Sequence, residues 1–274
     1  MNTELATFGD DLEAMMGIIP ASTDQSSTPS ITRVTQIHKA IMGMQDVGGK
    51  QIKAEILPVG TYQITQGDEV VYAQQITIRI MAVRMQWSRW NNNTEQMEKS
   101  IMAPSLKGDL KDNIGSYNLG RPSGGYVEDY DSLSDAMKEH MKSVKRVKVL
   151  MGHLSVDAPV DEEGNSVSTT IQDIPFIMDV KNRDSLKSID SVLARKRPIE
   201  VLTQEINLTG DIQSIPNGPD YGVIVASPGP KVDIQPTDKE NIQNFSDYID
   251  YVNNMILEKY NENCEDNSIE GDVF

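Results

Sequence analysis

Trp87 and Trp90, the two tryptophans of the chain, lie in one run, VVYAQQITIRIMAVRMQWSRW, with Arg79, Arg84 and Arg89 interleaved among them. Flat rings on which bases stack and cations that track phosphates are what a protein needs to grip a single nucleic-acid strand. Each stacked base is worth roughly 1–3 kcal/mol. Further along, Lys111, Arg121 and the cluster Lys142, Lys145, Arg146 and Lys148 extend a possible phosphate path, and Tyr126 adds a third ring. With aromatics at 5% of residues, the stacking surface is expected to be small.

Other constellations carry less. GMQDVGGKQ approaches a phosphate-binding loop, with Gly43 and Gly48 correctly spaced. Gly49 stands where the lysine must be and Gln51 replaces the hydroxyl ligand, so that reading fails. Asp173, Asp179 and Lys181 have the residue types of a magnesium nuclease, two carboxylates and an amine. Asp109-x-Lys111 shows how readily an acid-x-lysine triplet recurs. The three histidines, His38, His140 and His153, are isolated in sequence, and the single Cys264 excludes an internal disulfide or a cysteine-rich zinc site. The expectation is no enzyme, no catalytic residue, no cofactor and no metal.

Strands and helices must position these groups. From Ile76 the long run alternates with period two: Ile76, Ile78, Ile80 and Ala82 on one face, Arg79, Met81, Val83, Met85, Trp87 and Arg89 on the other. The even face reads as apolar, with Arg79, Trp87 and Arg89 on the other face and Arg84 and Trp90 on the side opposite Trp87 if no bulge intervenes. Residues 91–130 read as irregular: NNNTEQ as a turn, MEKSIMAPSLKGDL as a short strand and then loop, and NIGSYNLGRPSGGYVEDY as a long loop of functional or mobile character. SLSDAMKEHMKSV reads as a helix capped by Ser132 or Ser134, and VKRVKVLMGHLSVD as a strand. IPFIMDV reads as a buried strand, NRDSLKSIDSVLARK as an amphipathic helix, PIEVLTQEINLTG and YGVIVA as strands, and SPGP as a turn. Thr237 and Glu240 fit a capping box. Ile242, Phe245, Ile249, Val252 and Ile256 then give an apolar stripe that predicts a helix from Asp238 to Tyr260.

The 274 residues carry a formal net charge of −16, unevenly spread. Residues 1–30 are acidic without a lysine or arginine, and residues 258–274 hold six acids against Lys259 alone. The middle is only mildly acidic and contains the basic clusters, so the ends can compete with a polyanion for the chain's own cations. Nothing in the sequence reads as a signal peptide or a membrane-spanning run, and a cytoplasmic protein is expected (host cytoplasm, if viral).

The last residues, NENCEDNSIEGDVF, read as an acidic peptide in which Glu265, Asp266, Glu270 and Asp272 mimic phosphates and Phe274 anchors a partner. An acidic tail closing on Phe after an amphipathic helix resembles the replication single-stranded DNA-binding proteins of short-tailed phages. QWSRWNNN, SLKGDLKDN, KRVKVLMG and PFIMDVKNRDS are similar to stretches of proteins from marine phages. The resemblance implies an oligonucleotide-binding barrel that carries single-stranded DNA. It also implies a tail that recruits polymerase and helicase-primase and occludes the DNA site when DNA is absent.

The expected fold is therefore α+β, mainly β: a five-stranded barrel of oligonucleotide-binding type elaborated by helices and long loops. A disordered acidic arm spans 1–30, the nucleic-acid-binding body 31–236, the amphipathic helix 237–260 and the disordered tail 261–274. The expected function is single-stranded DNA binding in phage-type replication and recombination, without a membrane partner and with an oligomer allowed. A phage structural or assembly protein and a magnesium nuclease are the alternatives.

Overall fold

A computed structural model describes residues 31–214 and 220–269. The expected arm, 1–30, and Glu270, Asp272 and Phe274 of the expected tail lie outside the described residues. The chain is mixed α/β and mainly β. It divides into two compact units, one built from Ile31–Ala82 and Leu150–Ile242, the other from Val83–Val149 and Gln243 onward.

The first unit is a large mixed sheet. Its strands are β1 (Thr32–Gln36), β4 (Tyr62–Gln66), β5 (Glu69–Ala73), the start of β6 (Gln75–Asn91), the end of β8 (Lys145–Val156), β9 (Ile171–Val180), β10 (Gln204–Gln213) and β11 (Tyr221–Lys231). They run in the order β11-β10-β6-β8-β9-β1-β4-β5. β1 and β9 are parallel, while β4, β5, β10 and β11 pair antiparallel with their neighbours. The even face of early β6 is core as expected: Ile76, Ile78 and Ile80 are buried, as are Leu150, Leu154, Phe176, Ile206 and Leu208 on the neighbouring strands. Gly152 is required where β8 meets β6: a Cβ there would lie 1.9 Å from the Arg79 carbonyl oxygen. A separate two-stranded hairpin, β2 (Ile41–Val47) and β3 (Lys50–Leu57), leaves this unit between β1 and β4.

Both ends of the large sheet are guarded. An edge strand offers unpaired N–H and C=O groups to any other strand. At β11 the N–H groups of Ile224 and Ala226 donate instead to the hydroxyls of Ser185 and Ser188, at 2.9 and 2.8 Å. Both serines sit on helix α2 (Arg183–Leu193), which is N-capped by the Asn182 side chain. At β5, Tyr72 and Val160 exchange a pair of backbone hydrogen bonds. PIEVL is not the start of a strand. Pro198 occupies the first turn of helix α3 (Pro198–Leu202), and the Glu200 carboxylate accepts from the Arg197 N–H, so β10 begins only at Gln204. The SPGP segment continues β11 rather than turning.

The second unit holds the rest of β6, β7 (Gln96–Lys99), helix α1 (Asp135–Ser143), the beginning of β8 and helix α4 (Asp238–Ile269) from Gln243. Ser134 is the N-cap of α1, accepting from Met137. On α4, Phe245, Ile249, Val252, Ile256 and Tyr260 are buried as the stripe predicts, whereas Ile242 is exposed. The helix does not stop at Tyr260: it continues to Ile269, so the start of the expected tail is helical.

The apolar buried residues of β6 change parity along its length. They are even-numbered up to Ile80, whereas from Met85 to Ser88 both faces are buried, with Met85 and Trp87 apolar and Gln86 and Ser88 polar.

Candidate nucleic-acid interface

Trp87 lies in the core of the second unit, 3% exposed, among Met85, Leu106, Leu110, Leu119 and Val144. A base cannot stack on a ring already packed on all sides, so Trp87 is not a stacking residue. Gly125 closes over it. Its φ is +76°, and a Cβ there would approach the indole to 2.5 Å.

Arg121 stands over the indole, 5.1 Å from ring centroid to guanidinium carbon. Its Nη1 donates to the carbonyls of Met141 (2.5 Å) and Val144 (3.2 Å), and its Nη2 to that of Gly125 (3.1 Å). With its fork occupied by three carbonyls, Arg121 is a positioning group rather than a phosphate contact. The consequence is structural convergence. One planar guanidinium holds three carbonyls within a single side chain's reach of one another. The residues that follow them in the chain are Tyr126, Lys142 and Lys145. All three are exposed, Tyr126 at 76%, and Arg146 beside them is exposed too.

The loop that carries Tyr126 is built, not slack. Asp112, fully buried, accepts hydrogen bonds from the N–H groups of Ile114, Ser116 and Leu119 and from the Ser116 hydroxyl. Asn118, also fully buried, receives the Leu110 N–H and donates to the Gly108 carbonyl. Helix α4 fastens the same region. Asn253 pairs with both backbone groups of Met102, and Asn263 donates to the Asn113 carbonyl. Lys111 lies 4.6 Å over the Tyr260 ring, and Tyr117 packs against the same ring. Hydrogen bonding to Tyr117 and Cys264 pushes the Tyr260 phenol well above its usual range.

The remaining candidates divide by burial. Arg79 is 6% exposed in the first unit. Its guanidinium pairs with both Asp238 oxygens, at 3.0 and 2.5 Å, and donates to the Leu202 carbonyl, so it is withdrawn from any phosphate path. Lys148 is 7% exposed and likewise withdrawn, because β8 is buried on both faces at that point. Arg89 is half-buried and ion-paired to Glu98, which neutralises it. It also donates to His140 Nδ1. That nitrogen accepts, so His140 carries its hydrogen on Nε2 and donates it to the Leu119 carbonyl at 2.7 Å. Arg84 is half-buried and bonded to the Val83 carbonyl. Lys111 is half-buried under its cation–π contact.

Trp90, 52% exposed near the tip of the β6–β7 hairpin, and the exposed rings of Tyr117 and Tyr130 complete the aromatic surface of this unit. Sequence reasoning named Tyr117 as a possible stacking partner but missed Tyr130 as a surface ring and Asp112 and Asn118 as loop organisers. The run Asp112-Asn-Ile-Gly115-Ser116 carried a turn signal for the latter. Glu128, Asp129 and Asp131 follow Tyr126, so the positive surface is confined to the end of α1 and the start of β8.

Asp173 and Asp179 lie six positions apart on β9, a separation of about 20 Å at strand rise, too far to share one magnesium ion. Asp173 is hydrogen-bonded instead to His153 at 2.8 Å. Among the described residues no cluster of three or more His, Cys, Asp or Glu is arranged for a metal, and no helix is long and apolar enough to cross a membrane. No protein-family model, no curated protein and no solved structure matches this chain.

Proposed function

We propose that the chain is a non-enzymatic binder of single-stranded DNA acting in phage-type replication and recombination. The observation that supports the reading is the Arg121 clasp, which holds the backbone immediately before the exposed Tyr126, Lys142 and Lys145, with Arg146 next to Lys145 in the chain. Tyr126 stacks on a base and the cations take the adjacent phosphates. Trp90 offers a second stacking ring. The acidic tail, with Phe274, recruits replication proteins and competes for the same cations. The contacts lie on a loop-and-helix surface, so the reading does not depend on closure of the sheet into an oligonucleotide-binding barrel.

Cations at a helix C-terminus also have an ordinary role, complementing the helix dipole. Binding of a dye-labelled oligo-dT, followed by fluorescence anisotropy, separates the two. Wild type is expected to bind, and Tyr126→Ala to lose roughly 5- to 150-fold in affinity, the equivalent of 1–3 kcal/mol per stacked base. No binding at low salt would remove the proposal and leave the structural or assembly reading.

A further inference from the structure

The β2–β3 hairpin differs from the large sheet in one respect. β11 is covered by serine hydroxyls and β5 by Val160, yet β3 pairs among the named strands with β2 alone. Most of its residues are exposed, including Ile52, Lys53 and Glu55. Charges and bulges normally guard such an edge, and β3 carries Lys50, Lys53 and Glu55 and a bulge at Ile56; only a partner edge of complementary charge pattern would meet it.

The hairpin geometry fixes which backbone groups face outward. Gly48 and Gly49 have φ of +63° and +80° and connect the paired residues Val47 and Lys50, a two-residue turn of type I′. Its closing pair is the hydrogen-bonded one, and the pattern alternates from there. Ile52 (opposite Gln45) and Ala54 (opposite Gly43) therefore bond inward, while Gln51, Lys53 and Glu55 aim N–H and C=O away from β2. Beyond Glu55 a register shift leaves Ile56 without an opposite residue, and its side chain covers Gly43 on the face that holds Ala54.

We propose that the chain self-associates by antiparallel pairing of β3 with β3 of a second copy, about a two-fold axis at Ala54. In that register Lys53 lies opposite Glu55 of the second copy, and by symmetry Glu55 opposite its Lys53, both as hydrogen-bonded pairs. Charge complementarity selects this register. Shifting the axis to Lys53 sets lysine against lysine, and shifting it to Glu55 sets glutamate against glutamate. The contact is isologous and closes on itself, giving a four-stranded sheet and not a fibre. The bulge at Ile56 limits the paired length, so the dimer is concentration-dependent.

Sedimentation velocity of the full chain without nucleic acid, at concentrations up to about 100 μM, tests this over the range where weak dimers form. Wild type is expected to show a sedimentation coefficient that rises with concentration. Lys53→Glu and Glu55→Lys, each of which sets like charges opposite one another twice, are expected to dissociate at least about tenfold more readily. An equimolar mixture of the two variants is expected to regain the dimer, because the introduced glutamate then faces the introduced lysine. That rescue also shows that neither variant is misfolded. A wild type that stays monomeric throughout, variants that associate like wild type, or a mixture that fails to regain association would each overturn the proposal. Association of wild type that survives both substitutions would assign the dimer to a different surface.

Discussion

Replacing Lys142, Lys145 and Arg146 together by alanine tests the interface most directly. The three side chains are exposed, and none of them supports the core. For a single strand, the logarithm of the binding constant falls with the logarithm of salt concentration with a slope of about −0.7 per phosphate neutralised. Three contacts give a slope of about −2, and raising salt from about 50 to 200 mM weakens binding roughly twentyfold. The triple variant should flatten the slope by about two, and Lys142→Ala alone by about 0.7. Tyr126→Ala should lower affinity at every salt concentration and leave the slope unchanged, because stacking releases no counterions. The assay is oligo-dT anisotropy across a salt series with each variant. A triple variant with the wild-type slope would refute the assignment, since the phosphates would then be met elsewhere.

Four other perturbations have defined outcomes. Gly125→Ala forces a methyl into Trp87 at a positive φ and should cost about 1–3 kcal/mol in urea unfolding, with loss of the Tyr126 contribution to binding. Asp112→Ala orphans the buried Leu119 N–H and the part-buried N–H groups of Ile114 and Ser116, and should speed hydrogen exchange at all three, with a cost of about 1–3 kcal/mol. Burial pushes the Asp238 carboxyl up, but hydrogen bonds from Arg79 and the Gln235 N–H and the nearby positive charge outweigh it, leaving it below the usual carboxylate range. Its stabilisation is thus present above the unfolded-state value of about 4 and fades as pH falls through the lower folded value, a dependence that Asp238→Asn should remove from acid-unfolding curves. Deleting residues 270–274 should tighten oligo-dT binding while keeping Asn263 and Cys264, which anchor α4 to the loop; unchanged affinity would count against competition by the tail.

Local patterns with a single period were legible in the sequence. The N-cap at Ser134, the buried even residues at the start of β6 and the stripe on α4 all follow from spacing and chemistry within one element. Trp87 was misplaced because its parity was extrapolated from Ile76–Ala82, and nothing in the run QITIRIMAVRMQWSRW marks where the parity of the apolar buried residues changes. Arg79 and Lys148 look like surface cations in sequence. Only the tertiary structure supplies Asp238, from a helix far along the chain, and closes both faces of β8. Arg121 was seen as a basic residue, but its task of holding three carbonyls depends on segments distant in the chain. The extension of α4 past Tyr260 escaped notice because the apolar period ends there, while Asn263 and Cys264 continue the helix through polar contacts.

The serines that cover β11 have a consequence for synthesis. Ser185 precedes its partner Ile224 by 39 residues, and Ser188 precedes Ala226 by 38. At about 5–20 residues per second, helix α2 leaves the ribosome some two to eight seconds before the strand whose exposed amides it masks. The vulnerable rim of the sheet is thus made only after its chaperone-like cover exists. Moving α2 to the C-terminal side of β11 by circular permutation would preserve every native contact and still expose nascent chains to aggregation.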